Sequence, residues 1–184
     1  MLEYLITNCR YPDFDNDKFC NGNIGIKEGK IDYIGEGEPE TKEIIDAKGH
    51  IVSPGFIDIH MHEENFNEGL HYVIAERMLR MGVTTAVGGN CGLQNQSVSD
   101  FKSAVKKLGG APINYMMLAG YNQCRYALGI ERYKTATKME MEKIRTMLRK
   151  ELADGAIGIS FGIEYDPGMT TEEIIYACNA GENP

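Results

Sequence analysis

Past residue 53 the chain repeats one pattern four times: a short apolar or β-branched run, then an amphipathic helical stretch. "FIDIHMH" reads as a strand and "EGLHYVIAERMLRMG" as a helix, with Leu70, Val73, Ile74, Met78 and Met81 on one face and Gly82 as its stop. "VTTAVGG" leads into "SVSDFKSAVKKLGG", whose apolar stripe is Val98, Phe101, Val105 and Leu108. "APINYMMLAG" precedes "TKMEMEKIRTMLRKELADG", which opens on a Thr137-x-x-Glu140 capping box and presents Met141, Ile144, Leu148 and Leu152. "AIGISFGI" precedes "TTEEIIYACNAG", with a second capping box, Thr170-x-x-Glu173. Strict strand–helix alternation predicts an α/β fold with a parallel sheet, either doubly wound or closed as a (β/α)8 barrel. A dinucleotide-binding open sheet needs G-x-G-x-x-G after its first strand. Here that position is His-Met-His-Glu-Glu, so the barrel is favoured, with four of its roughly eight units.

Residues 1–52 have a different rhythm. "MLEYLITN" alternates, "NIGIKEGKIDYIGEG" holds two alternating runs about Glu28-Gly29-Lys30, and "KEIIDAKGHIV" adds two short extended pieces. This predicts a small antiparallel β module at 1–52, followed by the first half of a barrel at 53–184.

The formal net charge of −8 argues against binding a phosphate backbone, which needs basic patches, so no nucleic-acid partner is expected. No apolar run approaches a membrane span, and the N-terminus lacks the basic and apolar regions of a secretory signal. The five cysteines are widely spaced without a C-x-x-C, which fits a reducing, cytoplasmic compartment.

The chemistry gathers at strand ends. His60 and His62 are two apart at the C-terminal end of the first barrel strand, the side where β/α barrels keep their active sites. Paired imidazoles are good zinc ligands, although H-x-H alone is a weak pattern. Cys91 follows the second strand among Gly88, Gly89 and Gly92. If the two strands are neighbours, about 4.8 Å apart, its thiol emerges beside the histidines. Cys9, Cys20, Cys124 and Cys178 have no histidine placed to join them and read as inert thiols. His50 reads as a turn residue and His71 as a helix-surface residue. Glu63 and Glu64 either orient the histidines or are solvated loop acids.

"VSPGFIDIHMHEE" resembles the opening of the amidohydrolase superfamily, in which P-G-[FL]-[IV]-D-x-H-x-H ends the first barrel strand. "GVTTAVGGNCG" and "GAIGISFGIEYDPG" narrow the resemblance to the N-acyl-D-amino-acid deacylases, or D-aminoacylases, over essentially the whole chain. Residues 156–160 carry no lysine of the kind that bridges two metals in dihydroorotases and hydantoinases. The third strand ends Gly120-Tyr121-Asn122 where the deacylases usually have Gly-His. The resemblance implies a β-sandwich beside the barrel, with residues 1–52 forming part of it. It also implies one or two zinc ions held by His60, His62 and Cys91, and hydrolysis of a small N-acyl amino acid by zinc-activated water. Two further histidine ligands and the general-base aspartate are expected beyond residue 184, so the 184 residues read as an incomplete N-terminal half. Tyr165 is a candidate for contacting substrate or metal, with a loop-anchoring role as the alternative. The other readings are a cyclic amidase or dipeptidase of the same superfamily, or a non-catalytic half-barrel that works only in an assembly. An open barrel edge would favour self-association.

Overall fold

The computed structural model describes residues 1–181, in two compact units, Met1–Pro54 and a second beginning at Gly55. The first is a four-stranded sheet of β1 (Leu2–Asp13), β2 (Lys18–Lys27), β3 (Lys30–Gly35) and β4 (Thr41–Asp46), in the order β3-β2-β1-β4. The β2–β3 turn has left-handed backbone at both Glu28 (φ 51°) and Gly29 (φ 71°), the twist that suits a two-residue hairpin. β1 runs on to Asp13 because a second hairpin, unmarked by glycine, returns the chain at Lys18. The expectation of a purely antiparallel module needs correction. After Gly35 the chain crosses to the far edge of the sheet, and β4 pairs with β1 in parallel, from Leu2↔Thr41 to Thr7↔Asp46. Leu2, Leu5, Cys9 and Ile24 are its buried apolar residues.

In the second unit β5 (Phe56–Asp58), β6 (Val83–Gly88) and β7 (Asn114–Met117) form a parallel sheet, and β8 (Ala119–Gly120) pairs in parallel with β9 (Ile159–Ser160). The segment 114–120 links the two sheets by changing partner. The Leu118 N–H still donates to Gly88 O at 2.9 Å, while Ala119 N–H donates to Gly158 O at 2.9 Å. The strands therefore succeed one another in chain order, as consecutive β–α units do.

Three helices begin where their side chains dictate. α2 (Val98–Lys107) starts at Ser97, whose hydroxyl accepts the Asp100 N–H, and α4 (Lys138–Ala153) and α5 (Thr171–Cys178) both carry complete capping boxes. Met141, Ile144 and Leu148 of α4 pack on Ala119, Cys124 and Ala177 in the largest core cluster. α1 (Ile74–Arg80) is shorter than expected, and Leu70, Val73 and Met81 are exposed. The buried Glu64 carboxylate explains its start, accepting the N–H groups of Val73, Ile74 and Ala75 at 2.7–3.0 Å. α3 (Tyr121–Ala127) follows β8 directly, with a buried face of Tyr121, Asn122, Cys124 and Arg125.

Most of that polar face is paired from within, although Arg125 Nε has no hydrogen-bond partner and lies 3.8 Å from Asp166 Oδ2. The fully buried Arg125 donates to Glu173 Oε2 and to the carbonyls of Glu131 and Lys134. The Tyr121 hydroxyl donates to the same carboxylate at 2.9 Å, and the Ala136 N–H donates to Glu173 Oε1 at 3.0 Å. Burial first, then the Glu173 charge, pushes the Tyr121 phenol above its ordinary pKa. One carboxylate thus joins α3, the 131–136 segment and α5. Removing one partner of a buried pair strands the other charge, at a cost of about 3–5 kcal/mol. Glu173→Ala is expected to fall in that range by urea denaturation, and the exposed Glu172→Ala to stay near wild type.

Candidate metal centre

β5 and β6 are hydrogen-bonded parallel neighbours, with Asp58 opposite Ala86, so both chains leave the sheet at the same end. Beyond β5 the backbone stays close to β6, and the Met61 N–H donates to Val87 O at 3.2 Å. Asp58 Oδ1 accepts the His60 N–H at 3.0 Å, which fixes the backbone carrying that imidazole. His60 Nε2 lies 3.2 Å from Cys91 Sγ. The His62 ring stands edge-on to His60, with centroids 6.5 Å apart. The structure thus brings His60 and Cys91 together and sets His62 beside them. Among the described residues, no three His, Cys, Asp or Glu side chains converge closely enough to hold a metal. A recess of about 270 Å³ opens beside His62, lined also by Glu63, Leu93 and Asn95. Tyr165, 42% exposed, borders the same thiol. Negative charge at Cys91, then at Glu164, raises its hydroxyl pKa.

Cys91 rides on a crowded left-handed turn, with φ of 75° at Gly89, 58° at Cys91 and 69° at Gly92. A Cβ on Gly89 would meet Leu118 O at 2.1 Å, and one on Gly92 would meet Asn122 Oδ1 at 1.7 Å. Backbone conformation and space both demand glycine there. The Asn90 amide donates to Val87 O at 2.7 Å and Met61 O at 3.2 Å, tying the turn to the chain just after His60.

Glu63 is buried, with Oε2 accepting the Gly89 N–H at 2.8 Å and Oε1 the Asn95 N–H at 2.9 Å. It neither orients a histidine nor sits in solvent; it holds the cysteine turn. Asn122, fully buried, exchanges hydrogen bonds with both the N–H and the carbonyl of Gly162 and donates to Asp166 Oδ2 at 2.6 Å. It therefore anchors the loop that carries Tyr165. No spacing rule marks these two residues; the visible signals are an acid directly after H-x-H and a polar side chain two residues after a strand end.

The remaining candidates lie apart. His50 is exposed in a turn, with Nδ1 2.8 Å from Ala47 O, and His71 is exposed ahead of α1 rather than on it. Cys9 and Cys124 are buried, and desolvation, with Glu151 secondary, pushes the Cys124 thiol up to about 12. Iodoacetamide at pH 8 is therefore expected to label Cys91 and Cys178 before Cys9 and Cys124, which should react only on unfolding. Peptide mapping by mass spectrometry would show the order.

The sequence profile of the amidohydrolase family matches residues 43–150. The D-aminoacylase of Alcaligenes xylosoxydans xylosoxydans is 29% identical over 96% of this chain and 41% of its own length. The N-acyl-D-aspartate deacylase of the same organism is 26% identical over 96% of this chain and 40% of its own. A crystal structure of D-aminoacylase superposes with a TM-score of 0.86 at 27% identity, covering 98% of this chain and 43% of that one. N-acyl-D-glutamate deacylase from Bordetella bronchiseptica, solved with zinc and a phosphonate inhibitor, gives 0.81 at 26% identity, over 97% and 42%. The chain spans about two-fifths of the length of these relatives. The matched stretch includes the H-x-H strand end and the cysteine turn that meets it, and the chain belongs to the amidohydrolase family.

Proposed function

We propose that this chain supplies the metal-binding strand ends of a zinc-dependent N-acyl-D-amino-acid deacylase built on a β/α barrel. The observation that carries this reading is the 3.2 Å approach of His60 Nε2 to Cys91 Sγ across two adjacent parallel strand ends. Two imidazoles and a thiol suit zinc, and His60, His62 and Cys91 would hold it. β9 offers Ile159 and Ser160 and no lysine at its end. When bound, such an ion supplies Lewis-acid polarisation of an amide carbonyl and lowers the pKa of water toward neutrality. The chain's own residues do the positioning. Asp58 holds the His60 backbone, while Glu63 and Asn90 hold the turn that carries the thiol. Tyr165 keeps an exposed hydroxyl beside Cys91, available to donate to an acyl or carboxylate oxygen of the substrate.

In the full-length protein, Cys91→Ser is expected to lose most of its bound zinc and its hydrolysis of N-acetyl-D-methionine. Cys178→Ser, at an exposed position on α5, should keep both. Elemental analysis with an amide-hydrolysis assay reads the two variants. Equal zinc in Cys91→Ser and wild type would remove the basis of the reading.

A further inference from the structure

Ser160, at the end of β9, places one buried hydroxyl across the turn that carries Cys91. Its Oγ donates to the Gly89 carbonyl and accepts the Gly92 N–H at 3.0 Å. Those two groups flank Cys91, so a single side chain closes the turn from both sides. The closure has a definite task. Cys91 holds left-handed backbone at φ 58°, a conformation that is unfavourable for a residue with a Cβ. The ladder of β6 ends at Gly88, so regular sheet bonds do not impose that conformation. Glu63 fixes the Gly89 N–H and, beyond the turn, the Asn95 N–H, while the Leu93 N–H donates to Asn90 O at 3.0 Å. Ser160 reaches both sides.

We infer that Ser160 is a positioning residue: its hydroxyl clamps the Gly89–Gly92 turn in left-handed form and so aims the Cys91 thiol at His60. The clamp stands on geometry alone, and its consequence for metal binding rests on the function proposed above. Alanine here would leave the Gly89 carbonyl and the Gly92 N–H without this partner and release the turn. Threonine keeps the hydroxyl.

The test uses the full-length protein as wild type, Ser160→Ala, Ser160→Thr and Cys91→Ala. In metal-free protein, the rate at which iodoacetamide alkylates Cys91 is followed by peptide mass spectrometry at one pH. In cobalt-loaded protein, affinity and the thiolate-to-cobalt absorption band are recorded. Ser160→Ala is expected to change the Cys91 alkylation rate several-fold. It should also bind cobalt about tenfold more weakly or worse, the usual cost of losing a group that orients a ligand. Ser160→Thr should restore both. A folded Ser160→Ala protein with wild-type alkylation and wild-type cobalt affinity would overturn the inference. If Ser160→Ala does not fold, Ser160→Thr decides: wild-type alkylation supports the clamp, and a folded threonine variant with altered alkylation overturns it. Cys91→Ala separates the two proposals. If it retains the absorption band, the metal-centre reading fails while the alkylation arm still judges the clamp.

Discussion

The parallel pairing of β5 with β6 is the constraint on which the candidate centre depends. Parallel neighbours deliver their C-terminal ends to the same edge, so an imidazole after one strand and a thiol after the next meet although 31 residues separate them. The rest of the arrangement protects that meeting. Glu63 and Asn90 tie the thiol's turn to the histidine strand, and Ser160 ties it to β9. Each bond spans tens of residues of chain, so the geometry of the centre depends on the order of the sheet as a whole.

A second layer of support lies one step further out. Asn122 holds Gly162 and Asp166 and leaves Tyr165 at the surface between them. Arg125, one turn further along α3, faces the same Asp166 Oδ2 at 3.8 Å and is held in turn by Glu173. A chain of buried polar contacts therefore runs from the N-terminus of α5 to the loop that borders Cys91. Such groups are costly unless every member is paired, and pairing fixes one arrangement among the many that an apolar core would tolerate.

Elements organised by apolar periodicity or by capping were legible in the sequence. α4 and α5 start at the caps read from Thr137 and Thr170, α2 carries the apolar stripe read from Val98 and Phe101, and the glycines around Cys91 do mark a tight turn. Elements organised by buried polar groups were not. α3 escaped because its inward face is Tyr, Asn, Cys and Arg, which mimics a solvated loop. α1 was overextended because its start is set by Glu64, an acid that looked like loop chemistry. The two-residue spacing of His60 and His62 implied imidazoles pointing the same way. Regular β5 ends at Asp58, however, so strand periodicity no longer governs them and the rings meet edge to face.

The pairing of Arg125 with Glu173 has a consequence for how such a sequence can change over time. Because one carboxylate serves a guanidinium, a phenol, a backbone amide and a helix cap, no single replacement of it is neutral. A lineage can exchange this polar knot for an apolar one only if the arginine side is altered first or both change together. The knot is therefore an epistatic lock on the segments that meet at Glu173.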